Sequence, residues 1–243
     1  MTPAAPATDV WADLYTAASS RLPGDGRVRA LREAAIADLT ENGFPTRRHE
    51  AWQYTSLAPV TDTPFAFASE TTSATGPLER AAVLLTDLPE SGASCGRLVF
   101  VNGRLAPTLS SLDDLPDGLE ALSLADALAG DTVESLGSLV DGRGHPLAAL
   151  NTALFEDGLL LRVRRGTQVA APLHVVFLGV GGPAPAGAHP RIVYVVEDGA
   201  RVAVAEWWRC ESESSWLSNA AAEAWVGANA GLDLLEVQEQ GPE

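Results

Sequence analysis

Apolar residues in the first forty positions recur every three or four residues, which predicts helices over residues 8–42. A break at Leu22-Pro23-Gly24 divides this stretch into two helices, and Thr8 or Asp9 is a candidate cap for the first. One face of the first helix carries Trp11, Leu14 and Tyr15. The second carries Val28, Leu31, Ala35 and Leu39, and Asn42-Gly43 supplies its left-handed stop.

The pattern changes further along the chain. Residues 58–80 are rich in Thr, Ser, Ala and Pro and are expected to form a loop or linker. Residues 82–86 and 98–101 are predicted to form short strands. Ser123-Leu124-Ala125-Asp126 resembles a capping box, and the pattern over 146–155 predicts one more helix. From Gly158 onward, Val- and Leu-rich segments between polar turns predict strands at 159–164, 173–178, 191–196, 201–208, 220–226 and 232–238.

A weak internal repeat bears on how these strands are arranged. Glu156-Asp157-Gly158 and the apolar residues after it echo Glu197-Asp198-Gly199, and a related turn at 228–231 leads into another strand. Glu206 and Glu236 close the second and third of these strands. A polar turn followed by an apolar strand, returning at irregular intervals, indicates a solenoid of stacked β coils. A sandwich is the structural alternative, because periodicity alone does not separate the two.

Composition and charge exclude several classes of function. The chain has 243 residues, a net charge of -16 and a pI of about 4.5. Such an acidic surface repels phosphate backbones and anionic lipid, so we expect neither nucleic acid nor membrane as a partner. All sixteen basic residues are Arg, which excludes Schiff-base and P-loop lysines. Cys95 and Cys210 are expected to be buried, reduced thiols. Because the sequence shows neither a secretory signal nor a membrane span, we expect a cytoplasmic protein.

The segment with the most varied chemistry is residues 43–57, here called the clasp segment. It contains Arg47, Arg48, Glu50, Trp52 and Tyr54, which can pair charges and stack guanidinium groups on rings. It lacks a complete catalytic set. We therefore expect a structural role, in which this segment docks the N-terminal helical region onto the rest of the chain.

Other motifs have ordinary structural interpretations. Gly92-Ala93-Ser94-Cys95-Gly96 matches the nucleophile elbow but lacks its strand-to-helix context, so a plain turn is expected. Residues 179–182 begin like a dinucleotide fingerprint but are expected to form a loop between strands.

The histidines and some acidic residues are candidate metal ligands or catalysts. His49, His145, His174 and His189 have no metal-ligand spacing; we expect turn or capping roles for His145 and His189 and a core position for His174. Glu206 and Cys210 can share one face of a strand, which leaves a metal or redox role open without a third ligand. Four tryptophans fill the core or contribute a partner-binding surface: Trp207, Trp208, Trp216 and Trp225.

Several motifs in order resemble one family. They are the clasp segment, residues 98–107 with Asn102-Gly103-Arg104, residues 149–158, Pro172-Leu173-His174 and His189-Pro190-Arg191. Together they resemble the SufB/SufD family, the scaffold components of SUF iron–sulfur cluster assembly, with a closer likeness to the SufD branch. The resemblance extends from about Val10 to the end of the chain.

The resemblance implies a mainly β fold in which a small N-terminal helical region precedes a right-handed parallel β-helix. The expected division is a helical region and linker over 1–80, a mixed α/β connecting region over 81–157 and the β-helix core over 158–243. Chains of this family continue further, so the β-helix is expected to be incomplete here and the contact region for the ATPase SufC to be absent.

The resemblance also implies a non-catalytic scaffold that pairs with a SufB-like paralogue in a complex driven by SufC. We assign no catalytic or metal-binding residue, and no cofactor is expected to be bound tightly by this segment; an iron–sulfur cluster is implied for the full complex. The alternatives are a β-solenoid module that binds protein or carbohydrate through a Trp-rich surface, and a solenoid enzyme that uses Glu206 or Glu236.

Overall fold

Helices lie mainly in the first half of the chain. The computed structural model describes residues 7–71, 75–86, 88, 94–113, 115–130, 133–182, 184–211 and 215–239. The helices in these ranges are α1 (Ala7–Ala18), α2 (Gly26–Asn42), α3 (Ala58–Thr61), α4 (Thr75–Thr86), α5 (Leu124–Gly130) and α6 (Pro146–Leu154). Single 3₁₀ turns occupy Glu50–Trp52, Ala68–Thr71 and Pro107–Leu109.

The strands dominate the second half. They are β1 (Ala66–Phe67), β2 (Gly96–Val101), β3 (Arg104–Leu105), β4 (Leu119–Ser123), β5 (Gly158–Val163), β6 (Leu173–Gly179), β7 (Ala186–Ala188), β8 (Arg191–Val196), β9 (Arg201–Cys210), β10 (Trp216–Ser218), β11 (Ala221–Val226) and β12 (Gly231–Glu239). Helices and sheets together make this a mixed α/β fold.

Three sheets organise these strands, and most of their pairs are parallel. The strand orders are β1-β7-β10, β11-β8-β5-β4 and β12-β9-β6-β2-β3. From β5 onward the chain visits the four-stranded, the five-stranded and the three-stranded sheet in turn, and then repeats that order. Each strand from β8 onward therefore pairs with the strand three places earlier in the chain.

Stacked turns accompany this repetition. The N–H of Gly166 donates to the carbonyl of Asp198 at 3.0 Å, and the N–H of Gly199 donates to the carbonyl of Ala228 at 2.9 Å. Gly199 and Asn229 both have positive φ, which Gly and Asn tolerate best. The turns at 197–200 and 228–231 are thus equivalent, as their sequence similarity predicted. Residues 156–158 are not a third copy, because they connect α6 to a strand of a different sheet.

One end of the sheets is closed by antiparallel strands. β3 pairs antiparallel with β2, and β4 pairs antiparallel with β5. Buried Asp157, which directly precedes β5, connects β3 and β4 to the start of that strand. Its carboxylate accepts hydrogen bonds from the Leu105 N–H, the Ser123 hydroxyl and the Ala125 N–H. Ser123 also accepts from the Asp126 N–H, so it caps α5 as predicted.

The principal core lies between the four-stranded and five-stranded sheets. Alternate residues of their strands point inward and bury their side chains completely, among them Leu98, Phe100, Leu159, Leu161, Val175 and Ile192. The rings of Phe100, Phe177 and Trp208 stack in one column, with centroid separations of 5.0 and 4.0 Å. This regular packing fixes the register on which the candidate site depends.

The N-terminal helices pack against α6 through a separate apolar cluster that contains Trp11, Tyr15, Leu39 and Leu150. Arg32 is buried in this interface, where its guanidinium lies 3.6 Å from the Phe155 ring centroid and donates to the carbonyl of Ala153 at 3.0 Å. It thereby satisfies a carbonyl at the last turn of α6. Burial lowers the pKa of Arg32 to about 9, which leaves the side chain charged at neutral pH.

Two predictions about the middle of the chain are wrong. Residues 58–80 are not one loop, because they include α3, β1 and the start of α4. Residues 82–86 are the last turns of α4 rather than a strand. This helix packs Ala81 against Val99 and Val176, and a short apolar run has no periodicity that separates helix from strand. A prediction at the N-terminus is also wrong, because Thr8 and Asp9 lie within α1 rather than capping it.

Candidate functional site

The last three strands form an open layer, defined here as β10, β11 and β12. Each is the outermost strand of its sheet and has no strand partner on its outer side among the described residues. Four large apolar side chains on this layer are more than two-fifths exposed: Trp225, Val226, Leu234 and Leu235. An unpaired strand edge beside exposed apolar side chains is a surface that further strands can cover, from the same chain or from another.

Polar side chains enter the interior between the sheets as it approaches this layer. In the parallel register, Val175 of β6 aligns with Glu206 of β9, which aligns with Glu236 of β12. In the neighbouring column Phe177 and Trp208 are followed by Gln238. Columns that are apolar in the middle of the protein therefore become acidic or amidic at its open end.

Glu206 is 3% exposed, and no ion pair among the described residues involves it, which is exceptional for a buried carboxylate. The Tyr194 hydroxyl donates to one of its oxygens, and the Trp208 indole N–H donates to the other at 3.2 Å. Burial raises the pKa of Glu206, and the nearby Glu236 carboxylate raises it further while the two donors oppose the rise. Burial and Glu206 also raise the pKa of Tyr194, so its hydroxyl stays protonated as a donor.

A cavity of about 290 Å³ opens between these residues. Glu206 and Trp208 form its inner part, and Glu236 and Gln238 of β12 form its outer part. The Gln238 amide donates to the Glu236 carboxylate. The structure thus brings together the two acidic residues that the sequence singled out, and it adds an aromatic wall and two neutral donors to Glu206.

A buried ion pair holds the open layer onto the protein. Arg191 of β8 and Glu223 of β11 lie 2.6 Å apart and are both fully buried. Glu223 also accepts from the backbone N–H groups of Gly137, Leu139 and Val140 at 2.8–3.1 Å. Burial lowers the pKa of Arg191, and the Glu223 charge opposes that effect. Glu223 therefore connects β11 both to its neighbouring strand and to a loop.

The histidines do not converge on a site. His189 is 5% exposed, packs against the rings of Trp11 and Phe67, and lies 3.2 Å from the Asn219 amide nitrogen. His145 occupies the position before α6 without a side-chain cap bond. His174 is half-buried on β6 rather than in the core, and burial lowers its pKa. His49 contacts Thr46 in the exposed clasp segment.

Burial lowers the pKa of His189 from 6.5 to about 3, so acid should destabilise the fold. The unfolded chain takes up a proton below pH 6.5 whereas the folded protein does not, and stability is lost as pH falls through that window. From pH 6.5 to 5 we expect this residue to remove about 2 kcal/mol from the free energy of unfolding.

Urea denaturation of the wild type and of His189→Gln at pH 7.5 and 5 isolates this effect, because other titrating groups are common to both proteins. The stability advantage of the wild type over the variant should shrink by about 2 kcal/mol at pH 5. An advantage that is equal at both pH values would show that His189 does not carry the acid sensitivity.

The clasp segment differs from its expected form. Arg47, Arg48 and Glu50 are exposed, and no ion pair among the described residues involves them. Tyr54 is 90% exposed, and Trp52 is half-buried at the edge of a groove beside the end of α2. The expected charge pairing is therefore wrong, because the segment crosses the surface and its long side chains extend into solvent.

The remaining candidates have structural surroundings. Cys95 and Cys210 are half-buried thiols at opposite ends of the five-stranded sheet, and no disulfide joins them. Residues 179–182 end β6 and begin a loop, as predicted. Gly92 and Ala93 of the elbow-like motif lie outside the described residues. Trp207 and Trp208 are buried and Trp216 is partly buried, so of the four tryptophans only Trp225 contributes substantially to the surface.

Two further features, a metal-binding cluster and a membrane-spanning helix, are absent from the described ranges. These ranges contain no group of three or more His, Cys, Asp or Glu side chains arranged to hold a metal ion. Nor do they contain a helix with both the length and the apolar character needed to cross a bilayer.

Two residues that shape this region were hard to identify from the sequence. Tyr194 and Arg191 lie in an apolar strand, and neither was predicted to take part in a site. In the structure Tyr194 donates to Glu206, and Arg191 pairs with Glu223. A charged residue at the start of an apolar strand is the available signal, because a buried guanidinium needs acceptors or an opposite charge nearby.

Comparisons with known proteins support one family. A sequence model described as the SufBD protein N-terminal region matches residues 7–175. An iron-sulfur cluster assembly SufBD family protein of Synechocystis sp. is 29% identical over 257 residues, which cover 94% of this chain and 55% of that protein. The iron-sulfur cluster assembly protein SufD of Escherichia coli is 28% identical over 209 residues, which cover 85% of this chain and 45% of that protein. The chain spans about half the length of these curated relatives.

Proposed function

The chain belongs to the SufBD family, and we propose that it serves as a non-catalytic scaffold component of SUF-type iron–sulfur cluster assembly. The match of the family model over residues 7–175 carries this proposal. The names of both curated relatives refer to iron–sulfur cluster assembly. On this proposal the cluster is the cargo of the assembly rather than a cofactor bound tightly by this chain, and the protein acts in the cytoplasm.

We also propose that the strands coil as a right-handed parallel β-helix behind an N-terminal helical region. The support is the order in which the chain visits the three sheets, together with the in-register parallel pairing of β5 with β8 and of β8 with β11. In such a coil each layer buries its inner face against the next. We propose three regions: a helical region and linker over 1–80, a mixed α/β connecting region over 81–157 and the β-helix core over 158–243.

The proposed partners are a SufB-like paralogue and a SufC-like ATPase in one complex. Membership of the SufBD family supports these partners, because the names of both curated relatives refer to iron–sulfur cluster assembly. The alternative of a Trp-rich binding surface has less support, since Trp207 and Trp208 are buried in two separate cores.

Depletion of the protein in its native host tests the proposed function. We expect the activity of aconitase, an iron–sulfur enzyme, to fall relative to its protein level, while malate dehydrogenase, which holds no cluster, keeps its activity. A plasmid-borne copy of the gene should restore aconitase. If aconitase activity per unit protein is the same in depleted and complemented cells, the protein does not serve cluster assembly.

A further inference from the structure

We propose that the two N-terminal helices, α1 and α2, dock and undock as one unit, and that their docking is coupled to the contacts that hold β11 on the protein. The link runs through residues 151–153 of α6. The inference concerns a conformational property of the fold, so it goes beyond the proposed function and does not rest on it.

The two helices are attached to the rest of the chain by an interface of their own. Their apolar cluster, which contains Trp11, Leu39 and Leu150, is separate from the core between the sheets. The connection that follows α2 is the clasp segment, whose residues are mostly exposed. Segments that pack through a separate cluster can open without unfolding the remaining core. Undocking of α1 and α2 can therefore leave the sheets intact.

Arg32 of α2 brings a buried positive charge into this interface. Its guanidinium donates to the carbonyls of Pro23 and Ala153 and lies over the Phe155 ring. No ion pair in the described part of the chain involves it, and its buried Nε has no hydrogen-bond partner there. A buried cation without a counter-charge is costly, so docking of the helices is sensitive to the charges around this guanidinium.

A second guanidinium lies at the same turn of α6. Arg191 of β8 donates to the Asn151 side-chain oxygen and to the Thr152 hydroxyl, both at 3.2 Å. Arg32 donates to the carbonyl of the same Thr152 at 3.4 Å. Burial lowers the pKa of Arg32, and the Arg191 charge lowers it further, because like charges oppose each other. The Glu223 carboxylate of β11, which pairs with Arg191, supplies the compensating negative charge.

The other nearby carboxylate is already shared between two cations. Glu156 also favours the charged form of Arg32, but it pairs with Arg21 and Arg104 at 2.6 and 3.1 Å. Loss of the negative charge at Glu223 therefore leaves the two guanidinium groups at α6 with too little compensation, which favours undocking. Conversely, undocking removes Arg32 and with it part of the attraction that holds Glu223 and β11.

Neutral contacts connect the same elements. The Asn151 amide donates to the Asn219 carbonyl at 2.8 Å, and Asn219 lies between β10 and β11. The Asn219 amide nitrogen is 3.2 Å from His189, which packs against Trp11 of α1. None of these contacts involves the outer edge of β11, so the coupling does not depend on what lies beyond that strand.

Hydrogen exchange on the purified chain tests the coupling. Glu223→Gln removes the negative charge and keeps one acceptor oxygen. We expect amide exchange in α1 and α2 to become at least about fivefold faster relative to β6, which is the internal reference for global unfolding. Asp233→Asn, which removes an exposed charge from β12, should leave this ratio unchanged. An unchanged ratio in Glu223→Gln would overturn the inference.

A double-mutant cycle identifies Arg32 as the link. It is needed because α2 also contacts the loop that Glu223 holds, through Arg27, which donates to two carbonyls of residues 133–136. In an Arg32→Met background, the effect of Glu223→Gln on helix exchange should fall below about twofold. In an Arg29→Met background, which removes an exposed guanidinium from the same helix, the effect should persist. An effect of equal size in both backgrounds would overturn the inference.

The reverse experiment requires no change at Glu223. Trp11→Ala removes a buried ring from the helix interface and should favour undocking. The N–H groups of Ala221 and Gly227, which donate to carbonyls at or next to the two ends of β8, should then exchange faster relative to β6. Because coupling between two equilibria is reciprocal, unchanged protection of these two groups relative to β6 would overturn the inference even if Glu223→Gln did not fold.

Discussion

Replacement of Glu223 by Ala is expected to lower the free energy of unfolding by about 3–5 kcal/mol, as measured by urea denaturation. The change leaves the fully buried Arg191 guanidinium without its counter-charge. It also removes the acceptor for three backbone N–H groups in the loop at 137–140. Hydrogen exchange should show the largest loss of protection in β11 and in that loop, because Glu223 connects the two.

Two controls separate the buried pair from a general effect of removing charge. Asp233→Ala removes an exposed carboxylate from the open layer and should change stability by no more than about 0.5 kcal/mol. Replacing both Arg191 and Glu223 by Leu should restore part of the loss, since no unpaired charge remains. A Glu223→Ala variant within about 1 kcal/mol of the wild type would refute the proposed role of the pair.

Gly158→Ala is expected to be severely destabilising for the addition of a single methyl group, with a loss above about 4 kcal/mol or no folded protein. A Cβ at this position would lie 1.9 Å from the carbonyl oxygen of Arg191 and 2.6 Å from its nitrogen. Both are backbone atoms of the paired strand β8, so neither can move without disrupting the sheet. The φ of Gly158, 152°, adds strain for any side chain.

Gly166→Ala is the matched control for this substitution. Its φ of 73° is also positive, but an added Cβ meets no atom within 4 Å. The substitution should therefore lower the free energy of unfolding only through backbone strain, by about 1–2 kcal/mol in thermal or urea denaturation. Equal losses for the two variants would show that backbone conformation, and not the contact between β5 and β8, determines the effect at Gly158.

The long strands of the second half were predictable because their apolar residues alternate or run continuously between clear turn residues. The bounds of β8 and β11 differ from the prediction by no more than one residue. In contrast, β7 consists of Ala186-Gly187-Ala188, which has no pattern of its own. It exists because β1 and β10 pair with it on either side, and that information is not local.

The candidate site was predictable only in part. Glu206 and Glu236 were predicted to close successive strands. They instead lie within β9 and β12, which continue to Cys210 and Glu239, and the parallel register places the two residues side by side. The donors to Glu206 could not be identified in the same way, because Tyr194 belongs to a strand of the facing sheet. The clasp segment shows the reverse error, since its varied chemistry suggested internal pairing but most of it is exposed.

Purification of the tagged chain from its native host, at native expression, tests the central claim most directly. Quantitative mass spectrometry should find a SufB-like protein and a SufC-like ATPase enriched together over an untagged control, at comparable molar amounts. Enrichment of neither protein, from cells in which both are detected in the lysate, would contradict the proposal that this chain is a scaffold component of SUF-type cluster assembly.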